Sequence, residues 1–206
     1  NAAQNIEITL EVSNVWDGTT AEATAVDGVY QIDSGEKLAW FAAQVNGGNT
    51  SINAILTKDI NLNSDEFVNV WTSIGNADNG YNGTFNGNGK TISGLYQTDE
   101  SAKLAGLFGK VNENAVIENI VLDNAKVTTK NTATSDSGAG LVAGYNKGTI
   151  KGCFVQNSEI SGTISIGGLC GTNEGTISGC GNDSANVLQN AAKDSGIGGI
   201  VGQNIG

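Results

Sequence analysis

One phrase constrains the fold of this chain more than any other, because it is written more than once. Gly168-Leu169-Cys170-Gly171-Thr172-Asn173-Glu174-Gly175-Thr176-Ile177-Ser178-Gly179-Cys180 is matched upstream by Gly144-Tyr145-Asn146-Lys147-Gly148-Thr149-Ile150-Lys151-Gly152-Cys153. The copies run in register, with Asn146 and Asn173, Ile150 and Ile177, and Cys153 and Cys180 each 27 residues apart. Looser copies open at Gly106-Leu107-Phe108-Gly109 and at Gly199-Ile200-Val201-Gly202. A period in the twenties to thirties marks a stacked architecture in which no single unit buries its own apolar face.

Composition agrees with a solenoid. The 206 residues are 38% hydrophobic, enough for one domain with a narrow continuous core. Thirty Gly and no Pro describe many tight corners joined by uninterrupted strands, favouring β coils over helix bundles. Twenty-one acidic against 10 basic residues give a net charge of −11, so no basic stripe can neutralise phosphates and nucleic acid is excluded as a partner. No apolar run approaches the ~18 residues of a membrane span, and no signal-peptide pattern is present. The chain starts without Met and stops inside a repeat, so the expectation is a monomer or a piece of something longer.

Three segments follow in order. Residues 1–33 hold a strand, alternating through Ile6, Ile8, Leu10 and Val12, and a lead-in loop with two Asp-Gly turns. Residues 34–47 read as an amphipathic helix: Ser34 caps it, Glu36 lies in its first turn, and Leu38, Phe41, Ala42 and Val45 recur at helical spacing. Its job is to cover the open apolar end of the stack, with Trp40 in the same plug. Residues 48–206 read as β throughout, including Phe67-Val68-Asn69-Val70-Trp71. The Thr-rich stretch from Asp123 to Ser137 is an insertion on one edge.

Several phrases in order, Trp16-Asp17-Gly18, Leu38-Ala39-Trp40-Phe41, Asp59-Ile60-Asn61-Leu62, Trp71 with Ile74-Gly75, and Gly83-Thr84-Phe85-Asn86-Gly87-Asn88-Gly89-Lys90-Thr91-Ile92, resemble the lead-in of bacterial GLUG-motif surface proteins. The copies at Gly106, Gly168 and Gly199 are similar to the GLUG motif itself. This resemblance implies an all-β fold, a right-handed parallel β-helix, in large secreted or wall-attached polypeptides. Such proteins include adhesin-like chains and the non-catalytic regions of immunoglobulin A1 peptidases. Two departures stand out: Gly140-Leu141-Val142-Ala143-Gly144 carries one residue too many, read as a corner bulge, and position 86 is Asn where the family usually has Asp.

With parallel strands about 4.8 Å apart, residues 52 to 206 make on the order of six coils and a rod about 28 Å long. Ile150, Val155, Ile160 and Ile164 point inward, with Ile177 and Val187 in the next coil. Asn146, Asn173 and Asn204 form an amide ladder at one turn. Cys153 and Cys180 stack, either as small buried apolar residues or close enough for a disulfide.

The chemistry available is narrow. With no His, a His-dependent zinc site, Ser-His-Asp triad or Cys-His dyad is excluded. A carboxylate enzyme needs two acids within about 10 Å, and Asp123, Asp136 and Glu159 sit at non-equivalent repeat positions. A glycan surface needs exposed aromatics, for which the candidates are Trp71, Tyr81 and Tyr96, with Tyr145 extending the patch; core packing is the alternative for each. Asp78, Asn79 and Asn82 offer oxygen ligands for calcium, or simply an Asx-rich turn, and the turn is the favoured reading; no metal or cofactor is expected. The expectation is a non-enzymatic structural or adhesive module, extracellular or surface-attached, meeting a protein or glycan partner. The alternative is a carbohydrate-active β-helix.

Overall fold

The protein, in a computed structural model, is described over residues 15–64, 66–130, 136–189 and 196–206. The strand expected at Gln4–Val12 lies outside these residues, as do Thr132, Thr134 and Ser135 of the insertion. From Thr84 onward the backbone winds as a β-solenoid with five short strands per turn.

The first face stacks Thr84–Asn86, Val116–Glu118, Thr149–Lys151 and Thr176–Ser178 in parallel register. The second stacks Thr91–Ser93, Val121–Asp123, Phe154–Gln156 and Gly181–Asp183, above Ile60–Asn61. Third, fourth and fifth faces begin at Tyr96–Gln97, Leu104–Ala105 and Phe108–Val111 and are each four strands deep. The stack is thus about four turns, roughly 19 Å of rise at the parallel-strand spacing.

Six turns were expected, and the difference has a physical cause. Equivalent positions Thr84, Val116, Thr149 and Thr176 show that the 27-residue spacing holds for one step alone, the others being longer. Residues 57–83 add no full turn either. They contribute Ile60–Asn61 and single bridges from Ile74 to Phe108 and Tyr81 to Val111.

Inward positions form columns. Phe85, Ile117, Ile150 and Ile177 share one, and Ile60, Ile92, Leu122 and Val155 another. Ile164 was expected inside but is half-buried; Ser165, at φ 49°, turns the corner and puts Ile166 into the core. The bulge expected at Gly140–Gly144 is also absent. Gly140 pairs with Gly167 and Ala143 with Cys170, so this copy matches the next residue for residue, and Leu141 stands where the motif has its first Gly. The shorter copy is the earlier one, where Ala105 pairs with Ala139 and Phe108 with Ala143.

The lead-in contains more structure than a loop. Ala25–Val26 and Val29–Ile32 form a hairpin across Asp27-Gly28, both at positive φ as a two-residue hairpin turn requires. Its second strand pairs in parallel with Asn53–Leu56 and extends the first face. Helix α1, Gly35–Asn46, has Ser34 as N-cap and buries Leu38, Phe41, Ala42 and Val45. Phe41 meets Tyr81 and Phe85 edge-on at 5.9 and 5.7 Å, and Phe85 meets Phe108 at 5.3 Å. An aromatic plug therefore closes this end of the core. Trp40 sits at its rim, 5.2 Å from Tyr30.

Candidate functional site

A depression runs between α1 and the segment that follows Asn63. Phe67–Trp71, read as β from its alternation, is a loop here. Asn63 holds it: its buried amide donates to Asn69 O at 2.8 Å and Gly94 O at 2.9 Å and its oxygen accepts Asn69 N at 2.7 Å. Phe67 takes φ 49°, and Val68 and Val70 are left 69% and 52% exposed. Two adjoining cavities of about 570 and 410 Å³ share Asn46, Val70, Trp71 and Thr72 as walls.

Several polar groups facing this groove are already engaged. The Asn46 amide donates to Ser73 O at 3.0 Å and accepts Gly75 N at 2.9 Å. Ser73 Oγ donates to Gly106 O at 2.8 Å, while Gln97 accepts Gly106 N at 2.8 Å and donates to Ser73 Oγ at 3.1 Å. Asp99 is the one carboxylate among the lining residues. It accepts Ser101 N at 2.9 Å and Ser101 Oγ at 2.7 Å, and these bonds hold it below the usual carboxylate range. Beside them stand an apolar wall of Val70, Trp71, Ala77, Ala102 and Leu104 and the side chains of Thr72 and Lys103.

The aromatic candidates do not form a platform. Trp71 is 2% exposed, donates its indole N–H to Leu107 O at 3.2 Å and packs edge-on against Trp16 at 5.8 Å. Tyr81 is fully buried, with its hydroxyl donating to Ile52 O at 3.1 Å, and burial pushes its phenol well up. Tyr96 is half-buried against Phe67. Tyr145, 2% exposed, donates to Glu174, whose other oxygen holds Lys147 at 3.1 Å. Burial and this carboxylate push Tyr145 up to about 12, while the phenol and then the ammonium hold Glu174 below its usual range.

The acids are likewise dispersed. Asp123 ends a second-face strand and accepts Asn157 Nδ2 at 2.9 Å, Glu159 begins a third-face strand, and Asp136 lies at a corner with φ 48°. Sequence reading missed a different association: Asp59 and Asp123 both border a shallow depression of about 320 Å³ with Thr91 and Ser93. Asp59 is not among the acids weighed from the sequence, and its two-coil separation from Asp123 follows from second-face register. Asp59 already accepts Thr91 N at 2.9 Å. Around Asp78 and Asn79 the geometry is an Asx turn, with Asn76 Oδ1 accepting both amides at 3.0 and 2.8 Å.

No protein-family model matches the chain, and no solved structure matches it. Halomucin of Haloquadratum walsbyi is 33% identical in an alignment 189 residues long that covers 82% of this chain and 2% of halomucin. A protein named as a Gly-rich membrane protein, from Evansella cellulosilytica, is 31% identical over 103 residues, 49% of this chain and 12% of that protein. The chain therefore spans a small fraction of each relative. No helix among the described residues is long and apolar enough to cross a membrane.

Proposed function

We propose that this chain is a non-catalytic β-solenoid module of a secreted or surface-attached protein. It serves as a stiff acidic spacer whose Asn- and Thr-rich faces meet a protein or glycan partner. The observation that carries this reading is the fate of its buried polar side chains. Asn63, Gln97, Asn146, Thr172 and Asn173 are each bonded to backbone or to a neighbouring side chain, so they join coils instead of awaiting a substrate. Absence of His removes the commonest acid–base group from the whole sequence. The GLUG-like corners support the same reading, since Leu107 and Leu169 fill the core where the fourth face turns into the fifth. One relative carries a mucin name and the other a membrane-protein name, and by analogy these names support a location in the cell envelope or outside it.

Labelling of intact source cells with a membrane-impermeant amine reagent tests the location. Modification of the exposed Lys residues before lysis is expected, and modification only after lysis overturns the reading. The second reading, a carbohydrate-active solenoid, draws on the Asp59–Asp123 depression. A glycan array with Asp59→Asn and Asp123→Asn controls decides between them: sugar binding lost in these variants would favour it.

A further inference from the structure

Cys153 and Cys180 stand one above the other at the corner that enters the second face. The pairs Phe154–Gly181 and Val155–Asn182 fix their register on adjacent parallel strands. Such strands lie about 4.8 Å apart, inside the ~4.4–6.8 Å Cα separation that a disulfide spans. Their side chains take equivalent positions. Each sulfur faces the carbonyl two residues back, Lys151 O at 3.5 Å or Ser178 O at 3.3 Å. Each also faces one carbonyl of the coil below, Ile117 O at 3.9 Å or Ile150 O at 3.7 Å. The Cys153 amide additionally donates to the Cys180 sulfur at 3.4 Å.

The two differ in access, Cys153 being buried and Cys180 half-buried. The Cys153 side chain, with backbone amides, holds Cys180 below the usual thiol range, while the same contact and burial push Cys153 up. Cys170 is separate. It stacks between Ala143 and Val201 on the fifth face, and burial pushes it up to about 12.

We propose that Cys153 and Cys180 are a redox pair that closes into an inter-coil disulfide by exchange with a low-molecular-weight disulfide, with Cys180 as the attacking sulfur. The Cys180 thiolate attacks one sulfur of the small disulfide, forming a mixed disulfide and expelling one thiolate. Cys153 then gives up its proton and attacks the Cys180 sulfur, expelling the second thiolate. The protein loses two electrons and its two thiol protons, and the small disulfide is reduced to two thiols. Cys180 must turn away from Ser178 O, a rotation its partial exposure permits. This bond ties the third turn to the fourth, and it is independent of the function proposed above, although an oxidising extracellular setting is where it persists.

The test uses the folded whole chain incubated with oxidised glutathione, then denatured and alkylated. Cleavage after Glu118, Glu159 and Glu174 puts each cysteine on its own peptide, 119–159, 160–174 and 175–206. The expected product links the first and third peptides, about 2 Da lighter than their reduced sum, with Cys170 alkylated. Cys153→Ser should stop at glutathione on Cys180, and Cys180→Ser should leave Cys153 unmodified in the folded chain. Glutathione retained on Cys180 in the parent protein, or equal reactivity of Cys170 and Cys180 in Cys153→Ser, overturns the proposal.

Discussion

Replacing Asn173 by Ala probes the contact on which coil-to-coil cohesion at the fifth face rests. Asn173 is 6% exposed and is the middle rung of three. Its Oδ1 accepts Asn146 Nδ2 at 2.7 Å, and its Nδ2 donates to Asn204 Oδ1 at 2.8 Å and to Gly175 O at 3.0 Å. Each such bond contributes a net ~0.5–1.5 kcal/mol, and a buried partner left unpaired costs about 1–3 kcal/mol. Asn146, fully buried, keeps Gly148 O at 3.3 Å as a second acceptor, which limits the penalty on that side. The expected loss is therefore roughly 2–4 kcal/mol.

Asn204→Ala is the internal control. Asn204 is exposed, so water replaces its partner and the expected loss is below ~1 kcal/mol. Urea unfolding followed by far-UV circular dichroism gives both values, and amide exchange at Thr149–Lys151 and Thr176–Ser178 reports whether the turns separate before they unfold. An Asn173→Ala loss under ~0.5 kcal/mol, or equal losses for Asn173 and Asn204, would refute the ladder as a source of cohesion.

Two further outcomes are expected. Gly94 has φ +70° and a Cβ there would lie 2.2 Å from Asn63 O, whereas Gly89, at φ +68°, has open space around it. Gly94→Ala should then cost upwards of ~3 kcal/mol and Gly89→Ala about 1 kcal/mol, read from the same urea curves; similar values would remove close coil approach as the cause. The second concerns alkaline pH. Tyr145 is pushed up to about 12 in the folded chain, whereas an unfolded phenol ionises near ~10. Its contribution is therefore complete below about 10 and lost as pH rises toward 12, because the unfolded chain releases that proton first. Tyr145→Phe should flatten the fall in urea midpoint across this window, and an unchanged slope would count against the phenol.

The periodic part of the fold was legible because a solenoid writes its contacts at a fixed offset. Ile150 over Ile177, Cys153 beside Cys180 and the Asn146–Asn173–Asn204 ladder all follow from the spacing of one phrase. The α1 boundaries followed from Ser34 and the spacing of Leu38, Phe41 and Val45. Failures fell where local pattern is ambiguous. Phe67–Trp71 alternates like a strand, yet the Asn63 side chain captures its backbone first. Trp71 and Tyr81 belong to the core because the helix end needs large rings to fill it, and no spacing rule separates that use from an exposed platform.

The second-face column argues that hydrophobic cohesion is unevenly spread along it. Near α1 the interior is filled by Phe41, Tyr81, Phe85 and Phe108, large side chains whose burial contributes most per residue. The middle turns continue the second-face column with Ile92, Leu122 and Val155. In the fourth turn that column passes to Asn182, which is held by its amide donating to Gly199 O at 2.7 Å and its oxygen accepting Ala185 N at 2.8 Å. Transfer of apolar area from water is replaced there by hydrogen bonds of smaller net worth, so this column is least cohesive at its fourth-turn position. Cys180 lies two residues before Asn182, and its partner Cys153 belongs to the turn below. A covalent link between them would therefore fasten the second-face strand that carries Asn182 in this column to the one that carries Val155, beside the position where hydrophobic cohesion gives way.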